Sequence, residues 1–316
     1  MKRFFLFALL ASYGIAACSQ PAKTRRAPDK MAADENTLLW RISGKGLTKP
    51  SYLFGTMHMI CANDIIVSDS LSDAIKRSDK VYLEVNMDDM MGLMMKVMMN
   101  PEALNMRGDT TLRDLLSAEE YKAVKNYFSS GGMGSMIPFA ILEKMKPFFL
   151  QAMMMEQGAR CENMIVMEQL VMTEAKKHNK KIDGLETLEF QLGVFDKIPY
   201  KLQAQQLVKM ATDTSTSGGN EMQILGNAYR SQDLKKMFDL TLSDSSIDQF
   251  ADLLLYNRNT DWVNQLNTLM KTQSLVIAVG AGHLPGDRGV INLLRKAGYK
   301  VEPVKNDMIK KMTKEI

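Results

Sequence analysis

Residues 274–286 read SLVIAVGAGHLPG. Leu275 to Val279 is an unbroken apolar, β-forming run that stops at Gly280, and His283 follows three positions later. A run of this kind bounded by glycine reads as a strand buried on both faces, as in parallel sheets. The arrangement occurs a second time far upstream, where SYLFGTMH (51–58) again sets a strand, a glycine (Gly55) and a histidine (His58) at the same spacing. The chain has only three histidines, so two of them in matching contexts is its strongest internal signal. Each glycine permits positive φ or close backbone approach. Each histidine emerges beyond the carboxyl end of its strand, where open α/β sheets hold ligands. The third, His178 in KKHNKK, reads as a solvated helix end.

Working outward, LLWRIS (38–43) alternates as a strand and pairs with 51–54 across a Gly-Lys-Gly turn, a hairpin pattern. Ser68-Asp69 caps a helix to Arg77, and KVYLEV (80–85) is a strand with Glu84 near its end. Helical patterns cover 88–99, 117–128, 138–157 and 161–178, and Lys181–Gly184 is a short strand and turn. Helix is also read for 186–195 and 199–212, a loop for 215–219, then helix for 221–229, 231–240, 246–255 and 258–271. Residues 288–297 form an amphipathic helix before a last strand, YKVEPV (299–304). The expected fold class is therefore α/β. A central mixed sheet is built from the N- and C-terminal parts of the chain, and a long helical middle segment covers it.

The N-terminus sets the compartment. Lys2 and Arg3 precede an apolar stretch too short to span a membrane and then small residues, a secretory signal pattern. Ile15-Ala16-Ala17-Cys18 resembles the bacterial lipobox, which implies a signal over 1–17 and lipidation at Cys18. The alternative is an ordinary signal with an incidental cysteine. Ser19, rather than Asp, favours the outer membrane under the enterobacterial sorting pattern. Residues 18–36 are polar and aperiodic, a flexible tether, and 37–316 form the folded part. Loss of Lys2 and Arg3 takes the net charge from +4 to +2. With no basic tract interleaved with aromatics, nucleic acid is excluded as a partner.

Besides Cys18, the chain holds Cys61 and Cys161. In an oxidising compartment they could form a disulfide, remain buried thiols or serve as soft metal ligands. The 27 methionines cluster at 87–100 and 151–157. They fit an apolar core face, an adaptable peptide or lipid groove, or a Cu(I) site.

If the two Gly-x-x-His strands share a sheet, their imidazoles converge. With a carboxylate they would satisfy a divalent ion such as zinc and leave room for a water whose pKa the metal lowers. The alternative is that each histidine caps its strand by bonding backbone. Glu84 could be a ligand, a general base or a surface carboxylate. Arg258 could hold an oxyanion or a substrate carboxylate, or simply pair with Asp261. Glu186 could be catalytic or a helix cap.

The segments LLWRISGKGLTKPSYLFGTMHM, VYLEVN, IDGLETLEFQLGVF, YNRNTDWV and AVGAGHLPG together resemble the TraB/GumN family. That family includes the animal TIKI metalloproteases and is grouped with the erythromycin-esterase and ChaN-like proteins. The likeness runs from about 38 to 304. It implies that His58, His283 and Glu84 hold a divalent metal (Mn, Co or Zn). It also implies that Glu84, Arg258 and Glu186 are catalytic, and that the substrate is an extracytoplasmic peptide or protein. The chain lacks an H-E-x-x-H helix. Two other readings stand beside the hydrolase: a non-catalytic lipoprotein that binds peptide or haem, and a metal-independent esterase-like hydrolase.

Overall fold

The computed structural model describes residues 36–309 apart from Met59, 62–64, 89–91, 93–94, 96–98, 131–135, 159–163, 213–216 and 244–247. Cys18, the tether and Cys161 lie outside the described residues, and so does most of the first methionine cluster.

Six strands form the main sheet: β1 (Leu39–Ser43), β2 (Ser51–Thr56), β4 (Lys80–Val85), β6 (Lys181–Glu186), β7 (Leu275–Gly280) and β8 (Lys300–Val304). Two short strands, β3 (Ile60–Cys61) and β5 (Met164–Ile165), pair separately. The order of the main sheet is β6-β4-β7-β2-β1-β8. Strands β6, β4, β7 and β2 are parallel neighbours, and the β1–β2 hairpin brings in the antiparallel edge that β8 completes. The hairpin turns through Gly44, Lys45 and Gly46, all with positive φ, which glycine tolerates at little steric cost. Both ends of the described chain thus lie in one sheet, as the sequence predicts.

The apolar run of β7 is buried throughout, Leu275 to Val279 being 0 % exposed. The register sets Thr56 of β2 beside Gly280 of β7, and Val85 of β4 beside Glu186 of β6. Four parallel strands therefore end at one sheet edge, and the residues that follow them project there together.

Helices cover the sheet where their stripes allow. Ser68 caps Asp69–Arg77 by accepting from the Leu71 amide, and that helix buries Leu71, Ala74 and Ile75 at i, i+3, i+4 spacing. The middle of the chain also builds a core of its own. Leu112, Val124, Phe128, Leu142, Leu150 and Leu207 are buried together there, away from the sheet core. Met154 joins this second core, whereas Met95, Met99 and Met155 are exposed, so methionines here serve both core and surface.

Several predicted boundaries move. The 138–157 helix breaks into Phe139–Leu142 and Pro147–Gly158, because proline starts a helix readily but does not continue one. Within the 161–178 pattern, Met164–Ile165 is β5 and the helix runs over Met167–Lys177. Ser217 to Gly219, read as loop, begins the helix Ser217–Arg230. Residues 252–256 wind as a π-helix ahead of the helix Asn257–Leu269. His178 is not freely solvated: its Nε2 lies 3.3 Å from both Ser72 Oγ and Glu174 Oε1, tying two helices together.

Candidate functional site at the carboxyl edge of the sheet

The helix Asn257–Leu269 supplies the central cation. Arg258, Trp262 and Leu266 follow i, i+4, i+8 spacing and are all buried, so Arg258 stands on the apolar stripe and points into the protein. There it is held between two carboxylates. Its Nη2 donates to Glu84 Oε2 at 2.6 Å and to Glu186 Oε2 at 2.8 Å, and its Nε donates to Glu186 Oε1 at 2.9 Å. Nη1 donates to the Leu254 carbonyl at 2.9 Å, an oxygen presented by the π-helix. The guanidinium also lies over the Trp262 ring, 4.8 Å from its centroid. The partners of Arg258 are thus Glu84 and Glu186 rather than the neighbouring Asp261.

Glu84 is 6 % exposed and accepts from the Gly280 amide at 2.7 Å and from Gln191 Nε2 at 3.0 Å. Burial is the largest influence on it and would raise its pKa. The charges of His283, Arg258 and His58 and the Gly280 N–H together outweigh burial and hold it down to about 2. Glu186 ends β6 and does not cap the following helix; Thr187 does, its hydroxyl accepting from the Phe190 amide. The Glu186 carboxylate is instead bound by Arg258, by Trp262 Nε1 at 2.9 Å and by Gln191.

His283 is 6 % exposed, its ring 4.5 Å from that of Trp262. Its Nδ1 lies 2.6 Å from Asn259 Oδ1. The Asn259 amide group donates to the Arg288 and His283 carbonyls, so Oδ1 is the acceptor and Nδ1 carries the proton. The lone pair is therefore on Nε2, which stands 3.9 Å from Glu84 Oε1 and 3.3 Å from Arg258 Nη1. Burial is the main cause that pushes the His283 pKa down to about 4, leaving a neutral imidazole at physiological pH.

His58 is arranged differently. Its side chain is 72 % exposed, and its Nδ1 lies 2.8 Å from Oε1 of Glu168. That hydrogen bond is the largest cause raising its pKa to about 9, with the charges of Glu168 and Glu84 adding to the pull and that of Arg258 opposing it. Glu84, Arg258 and His283 are all within reach of its charge.

The motif glycines act through closeness, since neither appears among the positive-φ residues. A Cβ on Gly55 would stand 3.1 Å from Ala281 Cβ, Leu284 Cδ2 and Leu38 Cδ2. One on Gly280 would stand 3.2 Å from Glu84 Oε1. Gly55→Ala is expected to lower stability by about 1–3 kcal/mol through overpacking; an unchanged urea midpoint would remove this account.

The structure thus brings His283, Glu84, Glu186 and Arg258 into one hydrogen-bonded cluster and sets His58 beside it. Asn259, Gln191 and Glu168 escaped the sequence reading. Each left a trace. Asn259 lies on a stripe with Val263 and Leu266, and Glu168 on one with Val171, Met172 and Ala175, so each is a polar residue on an apolar face.

Among the described residues, no three His, Cys, Asp or Glu side chains form a ready cluster for a metal. The donor chemistry nonetheless fits a divalent ion. Both imidazoles spend Nδ1 on an acceptor, which makes Nε2 the ligating nitrogen; that of His283 accepts from Arg258 Nη1 at 3.3 Å and would exchange this bond for the ion.

Parallel strands that carry buried carboxylates and two imidazoles to one edge, with an arginine supplied from a helix, define an α/β protein with its candidate site at the carboxyl edge of the sheet. The chain belongs to the TraB/PrgY/gumN family, whose sequence model matches residues 38–303. It is 24% identical to a metalloprotease TIKI homolog of Nematostella vectensis, over 85% of this chain and 67% of that protein. It is 23% identical to metalloprotease TIKI2 of Danio rerio, over 94% of this chain and 67% of that protein. With human metalloprotease TIKI1 it shares 21% identity, over 84% of this chain and 62% of that one. No solved structure matches the chain.

Proposed function

We infer that the chain is a metal-dependent hydrolase that cleaves peptides or proteins. The observation that carries this reading is that two imidazoles, each anchored through Nδ1, stand with the buried carboxylate Glu84 at one edge of the sheet. His58 and His283 would hold the ion through Nε2, His58 by giving up the proton its raised pKa keeps there and His283 by exchanging its bond from Arg258, with Glu84 3.9 Å from His283 as the carboxylate beside them. When bound, such an ion lowers the pKa of a coordinated water and polarises a carbonyl. The relatives named as metalloproteases support the same class.

The residues around these histidines have separable tasks. Glu84, ionised and buried 3.9 Å from His283 Nε2, is the carboxylate placed to hold an ion or to orient an attacking water. Arg258 fixes Glu84 and Glu186 and keeps a permanent positive charge next to His283, where it can stabilise developing negative charge. Asn259 sets the His283 tautomer. The lipobox-like Cys18 and the secretory pattern before it support action outside the cytoplasm, with the protein held on the outer membrane by its lipid.

The test is cleavage of a peptide panel by the full chain with Mn²⁺, Co²⁺ or Zn²⁺ added after chelation. Cleavage should appear only with metal, and His58→Ala or His283→Ala should each reduce it at least about 100-fold. Cleavage that survives chelation points to metal-independent ester-type hydrolysis. Absence of both cleavage and metal binding sinks the hydrolase reading.

A further inference from the structure

The two imidazoles are held by unlike partners. His283 is packed against Trp262 and buried, so its orientation follows from its surroundings as well as from Asn259. His58 is 72 % exposed, and packing alone cannot fix its ring. What fixes it is a carboxylate from another part of the chain. Glu168 is 4 % exposed, and its Oε1 accepts from both His58 Nδ1 at 2.8 Å and Thr56 Oγ1 at 2.7 Å.

The surroundings show how this contact is built. Glu168 stands in the first turn of the helix Met167–Lys177, where the helix dipole favours a carboxylate. The Met167 amide bonds the Met57 carbonyl at 3.3 Å, so the start of the helix is stitched to the backbone beside His58. Thr56, the last residue of β2, bonds Glu168 from the strand side. The other oxygen, Oε2, is buried and accepts no hydrogen bond from any described residue. A buried carboxylate with an unsatisfied oxygen is unfavourable, and an apolar residue would fill the stripe beside Val171 and Met172 without that penalty. The contact to His58 is what an apolar residue could not supply.

We propose that Glu168 is the positioning residue of the first Gly-x-x-His motif: it holds the His58 ring by Nδ1, with Thr56 as its brace, and so leaves Nε2 as the nitrogen open to chemistry. Asn259 does the same for His283 through a neutral amide. The two histidines are thereby made unequal, one clamped by a carboxylate at the surface and one by an amide in the interior. The consequence for metal binding rests on the hydrolase reading above; the orientation of His58 does not.

The experiment uses the full chain as wild type, Glu168→Ala, Glu168→Gln and Thr56→Val, with His58→Ala to assign signals. Two quantities are read: the proton resonance of the hydrogen-bonded His58 Nδ1–H in metal-free protein, and affinity for Co²⁺ alone. Wild type should show a downfield Nδ1–H resonance that vanishes in Glu168→Ala and moves upfield in Glu168→Gln. Cobalt affinity should fall about 10–100-fold in both Glu168 variants and less in Thr56→Val. If Glu168→Ala does not fold, the isosteric Glu168→Gln decides. A wild-type resonance and cobalt affinity within twofold of wild type in Glu168→Gln and Glu168→Ala would overturn the proposal. If the resonance responds as expected but wild type takes up no cobalt, the positioning role stands and the metal reading falls.

Discussion

Arg258→Met is expected to destabilise the protein by about 3–5 kcal/mol, the loss typical of a buried ion pair stripped of one partner. Arg258 makes contacts to two carboxylates, Glu84 and Glu186, whose side chains are only 8 % and 5 % exposed. Without the guanidinium those carboxylates would keep, among the described residues, the Gly280 amide, Gln191 and Trp262 Nε1 as donors. Two uncompensated charges would then sit side by side in the interior. Methionine fills much of the arginine volume, so the effect reports charge rather than a cavity. At roughly 2–4 °C per kcal/mol, the unfolding temperature should drop by about 10 °C. Adding Glu84→Gln and Glu186→Gln to Arg258→Met should recover a large part of the loss, because the neutral amides no longer need a cation. Thermal unfolding followed by circular dichroism measures both. A single variant as stable as wild type would show that the carboxylates find other partners.

The second large effect is expected in acid and in two steps. His283 has its pKa lowered from 6.5 to about 4. The unfolded chain therefore takes up that proton first, and stability present above pH 6.5 is lost as pH falls toward 4. Glu84 has its pKa lowered from 4.5 to about 2. Its contribution is present above pH 4.5 and disappears as pH falls through 2. The two groups act on one another, so the loss belongs to the pair and amounts to a few kcal/mol on the scale of about 1.36 kcal/mol per pH unit. The windows follow one another for a physical reason. Once His283 becomes cationic near pH 4, it helps keep Glu84 ionised 3.9 Å away. Urea unfolding between pH 7 and pH 2 should show the upper step vanish in His283→Gln and the lower step vanish in Glu84→Gln. On the alkaline side His58 behaves oppositely: with its pKa raised, any stabilisation from the Glu168 contact is lost as pH rises through about 9. Water screens that exposed ring, so this third change is small.

Much of the sheet was legible because its strands are short apolar runs closed by glycine or a turn. The repeated spacing of glycine and histidine placed Gly55 and Gly280 at strand ends, and the register of β2 against β7 makes them near neighbours. Glu186 was harder to read, since Gly184 suggested a turn while the chain continues as strand to residue 186. The π-helix at Asp252–Tyr256 has no sequence signature of its own: DLLLY is equally compatible with an α-helix. Asn259 and Glu168 were missed because a polar residue on an apolar stripe gains meaning only when its partner is known. Those partners, His283 and His58, lie 24 positions or more away in the chain. Cys61 and Cys161 keep the alternatives the sequence left them, with Cys161 outside the described residues.

The pairing of β2 with β7 has a consequence in time. Leu275 bonds Ser51 across 224 positions, and Gly280 bonds Glu84 across 196. Closing loops of that length is slow compared with forming local helices. During synthesis the first half of the site waits, with β4 exposing one edge, until residues 275–280 have been made and inserted between β4 and β2. A nascent or truncated chain that stops before β7 therefore carries His58, Glu84, Glu186 and Arg258 but lacks His283 and the Gly280 amide that holds Glu84, and the cluster comes into being only as the sheet is completed.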